Sequence, residues 1–269
     1  MGSMPDDSPY GIELGSVLVS LLDPQRGQEV AFHRWYERDH FYAGCLVGPR
    51  FYAGRRFVAT RPLKDLRYPA PSAIVEPLDQ GSYLALYFIQ AGYHDEAIAF
   101  AVPQVNWLGE VGRMLPGRVQ AHAGFYGFDW AVFRDEDGVP AELALDHPFE
   151  GVALVMVERS QSTLAGDLDR WVRQEHLPKV LRGSSAAMCL GLTPFPLPDD
   201  APSYVRRIPG LERYSLHLYF LQDDPRRSWE DLFARQGDAF EATGLGRVCF
   251  AAPFIPTVPG TDRYTDELW

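Results

Sequence analysis

The chain repeats itself once over more than a hundred residues. The segment 35–40, Trp-Tyr-Glu-Arg-Asp-His, returns at 171–176 as Trp-Val-Arg-Gln-Glu-His, with tryptophan, acid and histidine at the same relative positions. The run Leu-Ala-Leu-Tyr-Phe-Ile-Gln at 84–90 returns at 216–222 as Leu-His-Leu-Tyr-Phe-Leu-Gln. Solenoid repeats have periods of roughly 20–50 residues, so a repeat this long can carry its own core. We therefore predict two tandem copies of one domain.

The length of 269 residues agrees with two domains. We place the first repeat at 14–133, a linker at 134–150, the second repeat at 151–257 and a surface tail at 258–269. Hydrophobic residues make up 46% of the chain, which is enough for two cores.

Charge and apolar runs limit the partners. The net charge of −11 argues against nucleic acid and anionic membrane surfaces, which require clustered Lys and Arg. No apolar run approaches the roughly 20 residues of a membrane span, so we expect a cytoplasmic protein. Cys45, Cys189 and Cys249 are widely spaced and odd in number, which indicates buried free thiols in a reducing compartment.

Each repeat shows the pattern β-α-β-β-α-β. The alternating run 83–90 indicates a strand, and the spacing of bulky residues from 28 to 40 indicates a helix. This pattern predicts an α+β fold, a ferredoxin-like four-stranded antiparallel sheet with two helices on one face. The bare face of each sheet needs a partner, and the other repeat provides it. The chain is thus expected to be an internal pseudo-dimer, with further homodimerisation left open.

The first helix carries a family resemblance. The stretch 32–40, Phe-His-Arg-Trp-Tyr-Glu-Arg-Asp-His, followed by Gly48-Pro49, resembles the EthD-like dimeric α/β barrel proteins, with Asp39 in the place of their usual glutamate. The second repeat fits less fully, because Val172 replaces the tyrosine. The resemblance implies two ferredoxin-like sheets packed face to face, with small-molecule pockets between sheet and helices. Relatives include cofactor-free monooxygenases, polyketide cyclases, lactone isomerases, decarboxylases and haem enzymes.

Acid and histidine pairs are the first candidates for chemistry. A rotation of about 100° per residue from Phe32 places Asp39 at the centre of the buried stripe and His40 on its flank. Glu175 and His176 take the same directions in the second repeat. A desolvated carboxylate and a histidine could exchange protons with a substrate. Alternatively, each pair only seals a helix end.

His217 is the next candidate, because it stands mid-strand where the first repeat has Ala85. If its face meets the helices, it joins Tyr219, Glu175 and His176 in one pocket; otherwise it is a core histidine. This extra histidine favours the second repeat slightly as the reacting one. The residues predicted to line the pockets and bind substrate are Tyr36, Tyr87, Tyr219, Trp35, Trp171, Asn106 and Trp107.

The sequence lacks a Walker loop, a GxSxG motif and an HExxH motif. We expect no metal and no cofactor. The prediction is a cofactor-independent enzyme of the cyclase, isomerase or lyase type. It would transfer protons on a hydrophobic, aromatic or polyketide-like small molecule. The alternatives are a non-catalytic binding protein and a cofactor-free monooxygenase.

Overall fold

Each repeat contributes four antiparallel strands to one closed barrel. The computed structural model describes residues 11–197, 199, 201 and 205–269. Strand order around the barrel is β4-β1-β3-β2 for the first repeat and β8-β5-β7-β6 for the second. The fold is α+β and consists of two tandem ferredoxin-like repeats, as predicted.

The first repeat follows the predicted element order, with two helical additions. Its helix α1 continues into two π-helical turns, and a short helix α2 follows β2. The elements are β1 Leu14–Asp23, α1 Glu29–Trp35, π-helical turns Tyr36–His40 and Tyr42–Leu46, β2 Phe51–Val58, α2 Arg61–Lys64, β3 Tyr83–Gln90, α3 His94–Glu110 and β4 Val119–Phe133.

The second repeat has the same order, with its last helix divided in two. Short 3₁₀ turns at Ala141–Leu143 and Leu211–Arg213 lie in the connections. The elements are β5 Gly151–Arg159, α4 Ala165–Trp171, a π-helical turn Val172–His176, α5 Leu177–Leu181, β6 Ala186–Pro194, β7 Tyr214–Leu221, α6 Pro225–Leu232, α7 Gln236–Thr243 and β8 Gly246–Pro256.

Two seams join the sheets into the barrel. The long strand β4 pairs with β1 through its first half and with β6 from Tyr126 to Phe133. The other seam is short: Phe57 and Val58 of β2 pair with Pro256 and Ile255 of β8. The strands of both repeats therefore form one continuous hydrogen-bonded barrel.

Strand alternation sorts the side chains into two cores. In β1, Val17 and Val19 face the barrel interior, whereas Leu18 and Ser20 face the helices. The interior is filled by apolar side chains from both repeats, such as Leu86, Phe88, Leu218 and Phe220. Because side chains fill the barrel interior, the space that remains for a ligand lies between a sheet and its helices.

The segment 258–269 packs along α1. The ring of His33 is buried beneath it and bonds the carbonyl of Thr261 through Nε2, at 2.9 Å. Leu268 of this segment is fully buried. The prediction of a surface tail therefore needs correction in one respect, since part of the segment belongs to the core.

Two smaller predictions concern thiols and membrane spans. Cys45, Cys189 and Cys249 are free and buried, which confirms the prediction of buried free thiols. Across the part of the chain that the structure describes, no helix has the length and apolar character needed to cross a membrane.

Candidate functional site

A cavity of about 110 Å³ lies between the sheet and the helices of the first repeat. Strands β1, β3 and β4 form its floor and α3 forms one wall. Residues of the second repeat's β6–β7 connection close another side. The lining residues are Leu18, Ser20, Tyr36, His40, Cys45, Tyr87, Ala101, Val102, Val105, Gln120, Ala123, Gly124, Phe125, Leu197, Ala201 and Val205.

Hydrogen-bonding side chains gather at one part of this lining, which we call the polar corner: Ser20, Tyr36, Tyr87 and Gln120. The hydroxyl oxygens of Tyr36 and Tyr87 lie 3.3 Å apart. The amide of Gln120 donates to Ser20 Oγ at 3.0 Å. Most of the remaining lining is apolar, so the polar corner would hold the oxygen of a ligand and fix its orientation.

Both corner tyrosines are neutral near pH 7. Burial raises the pKa of Tyr36 to about 12, opposed by its hydrogen bond with Tyr87. Burial also raises the pKa of Tyr87 well above its ordinary value. Each hydroxyl carries one proton, so when one tyrosine donates to the other, the second hydroxyl remains available to donate to a ligand.

His40 lies on the cavity wall with its imidazole stacked on the indole of Trp35, at 4.6 Å between ring centroids. Its Nδ1 is buried and has no hydrogen-bond partner within the described part of the chain. Burial lowers the pKa of His40 to about 4, and the cation of Arg118 acts in the same direction. Arg56 also lowers this pKa, so the ring is neutral at pH 7 and takes up a proton only when negative charge develops beside it.

The π-helical turn at Tyr36–His40 corrects the predicted role of Asp39. Bonds from i to i+5 put more residues in each turn, so every residue advances by less than 100°. His40 consequently turns toward the sheet, and Asp39 turns away. Asp39 instead forms a salt bridge with Arg113, and 32% of its side chain is exposed.

The same turn recurs at Val172–His176 and has the same effect. His176 is buried and stacks on Trp171 at 4.9 Å between ring centroids. Glu175 is exposed. The prediction that Glu175 faces the sheet is therefore wrong, for the reason given for Asp39.

In the second repeat, His217 does face the helices, but a phenyl ring occupies the space there. The ring of Phe240 lies 5.1 Å from His176 and 6.0 Å from His217, between centroids. Tyr219 is buried and its hydroxyl donates to Gln236 at 3.4 Å. The residues predicted to converge are close together, with Phe240 packed among them.

The prediction that Asn106 and Trp107 line a pocket also needs correction. Both are exposed on α3, and Trp107 retains 45% of its accessible surface. The inner face of α3 carries smaller side chains, with Ala101, Val102 and Val105 lining the cavity. Small residues on that face leave room for the cavity, whereas the indole lies on the outer side, near Arg113.

Several lining residues were missed by sequence reasoning. Ser20 and Gln120 are polar residues in strands that pair with each other, and they join only through the β1–β4 ladder. Leu197, Ala201 and Val205 come from the other repeat, and no local pattern marks them. The run of alanines in α3 was the one usable signal, because small residues on an inward helix face indicate space.

Within residues 11–197, 199, 201 and 205–269, no group of three or more His, Cys, Asp and Glu side chains is arranged to hold a metal ion. The expectation of a metal-free site stays a prediction.

The barrel and its cavity define the structural class, the dimeric α/β barrel. No protein-family model matches the chain, and no curated protein matches it either. A putative chlorite dismutase superimposes with a TM-score of 0.53 and 12% identity, over 96% of this chain and all (100%) of that one. An anthrone oxidase-like protein gives 0.50 and 8%, over 93% and 95% of the two chains.

A third solved structure is a haem-bound variant of DypB from Rhodococcus jostii RHA1. It superimposes with a TM-score of 0.51 and 10% identity, over 95% of each chain. At these identities the likeness shows the fold alone. The narrower resemblance to the EthD-like proteins stays a prediction.

Proposed function

We propose that the chain is a cofactor-independent enzyme that removes a proton from a small, mostly apolar compound bearing a carbonyl or phenolic oxygen. One observation carries the proposal: an apolar cavity holds two neutral tyrosine hydroxyls and a neutral histidine on its lining. Such a site supplies a donor for the substrate oxygen and an acceptor for the proton.

The roles follow from the protonation states. Tyr36 donates a hydrogen bond to the substrate oxygen, where negative charge develops when the neighbouring C–H or O–H bond breaks, and Tyr87 donates to the oxygen of Tyr36. His40 takes the proton, and the resulting imidazolium lies beside the anion it has produced. Its stacking on Trp35 fixes the ring plane. The apolar remainder of the cavity excludes water and strengthens these interactions.

The cavity limits the size of the substrate. Its volume of about 110 Å³ lies below the ~300–1,000 Å³ of pockets for drug-sized ligands. An apolar cavity of about 150 Å³ accommodates a benzene ring. The described lining encloses space on the scale of one aromatic ring, so a compound with one such ring is the favoured substrate class.

A cofactor-free oxidase or monooxygenase is the second candidate. An anthrone oxidase-like protein shares the fold. A carbanion formed in the cavity could itself reduce dioxygen, so this activity would use the same first step. The third alternative, a non-catalytic binding protein, would use the cavity without any proton transfer.

A haem does not fit the space beside the candidate histidines. His40 lies on a cavity of about 110 Å³, and Phe240 fills the region between His176 and His217. Among the described residues, neither place shows a gap of macrocycle size beside a histidine nitrogen.

Hydrogen–deuterium exchange of 2-indanone in D₂O tests the proposal, because its carbonyl-activated C–H bonds exchange only when a proton is removed. We expect the wild-type protein to accelerate exchange, as followed by proton NMR, and His40→Gln to lose the acceleration. His147→Gln is the matched control, since His147 lies outside the cavity beside Phe149.

Exchange no faster than in buffer, or equal loss in both variants, would overturn the proposal. Oxygen uptake measured in parallel separates the second candidate. Consumption of dioxygen in step with loss of 2-indanone would favour the oxidase or monooxygenase. Saturable binding of 2-indanone without exchange or oxygen uptake would favour the binding protein.

A further inference from the structure

Arg56 is a buried cation directly beneath the candidate site. It stands on β2 opposite Ala85 of β3, on the helix-facing side of the sheet, and only 5% of the residue is exposed. We propose that Arg56 is a positioning residue that makes the cavity a binding site for phenolate and enolate anions. This inference rests on the proposed function, because it names the substrate class of the same site.

The guanidinium lies over an aromatic ring of the polar corner. Its Cζ atom is 4.7 Å from the ring centroid of Tyr36 and 5.3 Å from that of Tyr83. A cation against the face of a phenol ring favours negative charge on the phenol oxygen. The Tyr36 hydroxyl thereby becomes a stronger hydrogen-bond donor toward an anionic oxygen in the cavity.

The surroundings keep Arg56 in place without neutralising it. Its two terminal nitrogens lie 3.4 Å from the carbonyl oxygen and from Nδ1 of His33. His33 in turn bonds the Thr261 carbonyl and approaches Glu37 to 3.5 Å through Nε2. The acid in this chain of contacts, Glu37, is thus separated from Arg56 by an imidazole ring.

No carboxylate lies within the 4.0 Å of an ion pair from Arg56 among the described residues. The described residues that line the cavity include no acid either, and Asp39 is paired with Arg113. A buried charge without a close counterion is costly, so an anion in the cavity would be stabilised by Arg56.

The proposal makes a specific statement about substrate class. Compounds whose oxygen carries negative charge, in the ground state or after proton removal, should bind better than their neutral forms. One-ring phenols and enolisable ketones meet the requirement within the available volume. The hydroxyl of Tyr36, which accepts from Tyr87, holds the oxygen, and Arg56 acts through Tyr36 without touching the ligand.

Binding of 4-nitrophenol tests this directly, because its phenolate absorbs visible light and its neutral form does not. We expect the pKa of the bound phenol to fall below its value in solution in the wild-type protein. Arg56→Met should reduce the bound phenolate-to-phenol ratio by about tenfold, one pKa unit. Arg38→Met is the control, since it removes the same charge from an exposed position on the helical turn that carries Tyr36.

Two further variants decide the matter if Arg56→Met does not fold. Arg56→Lys keeps the cation and should retain most of the phenolate preference. Tyr36→Phe keeps the ring and Arg56 but removes the donor, so it should lose that preference. An unchanged bound pKa in Arg56→Met or Tyr36→Phe, or no binding of 4-nitrophenol to the wild-type protein, would overturn the inference. The proposed function is read separately from 2-indanone exchange and survives any of these results.

Discussion

The imidazole of His40 lies stacked on the indole of Trp35, with the two ring planes 15° from parallel. The second repeat preserves the relationship in His176 and Trp171, whose planes are 25° apart. Both histidines are placed by a π-helical turn that follows the tryptophan. What differs is the space beyond the ring: His40 lies on a cavity, whereas His176 packs against Phe240.

This difference predicts which repeat reacts. We expect His40→Gln to lower the rate of 2-indanone exchange by about 10²–10⁴-fold, the usual contribution of one positioned proton acceptor. His176→Gln and His217→Gln should keep the wild-type rate. Rates are compared by NMR at matched folding, judged by circular dichroism. If the two second-repeat variants are inactive and His40→Gln is active, the working site is in the other repeat.

Phe240 is expected to hold the second repeat together. It is fully buried against Trp171, His176 and His217. Removing a buried phenyl ring leaves a cavity, so Phe240→Ala should lower the free energy of unfolding by about 3–5 kcal/mol. Urea titration measures this value. Trp107→Ala is the control, because its half-exposed indole should change stability by only about 0.5 kcal/mol; similar losses in both would refute the assignment.

Stability should fall steeply as the solution becomes acidic. Burial lowers the pKa of His40, His122 and His176 to about 4 and that of His217 to about 3. Unfolded histidines titrate near pH 6.5, so below that pH the unfolded chain binds protons that the folded protein does not. The stabilisation is complete above pH 6.5 and is lost progressively as the pH falls toward the folded values.

The slope of the unfolding free energy against pH measures this effect directly. Each such histidine adds roughly 1.4 kcal/mol per pH unit to the dependence of unfolding free energy on pH. Unfolding free energies measured by urea titration between pH 5 and 7.5 should therefore rise less with pH in His217→Gln than in the wild-type protein, by a difference that approaches one proton near pH 5. An identical slope would mean that His217 is not buried in its neutral form.

The barrel predicts that neither repeat is stable alone. Apolar side chains such as Leu86, Phe88, Leu218 and Phe220 fill the interior from both sheets. A fragment of residues 14–133 would expose its half of that core, so we expect it to aggregate or self-associate at micromolar concentration. Gel filtration with light scattering measures the state. A stable, soluble monomer would contradict a shared core.

The sequence by itself determined the repeat, the β-α-β-β-α-β order and the pairing of the two sheets. These features follow from periodic apolar residues and from a duplicated motif, which are local and therefore visible along the chain. Two polar residues of the site, Tyr36 and His40, could also be predicted, because they lie close together in one helical segment. Their prediction required only that this segment face the sheet.

Tertiary structure decided which of those residues share a space. The π-helical turn rotated Asp39 and Glu175 outward, and single-sequence periodicity assumes a constant 100° step. Phe240 filled one pocket and small residues on α3 left the other open. The buried cation of Arg56 meets Tyr36 only through strand register. Packing volume and register depend on segments far apart in the chain, so local patterns could not determine them.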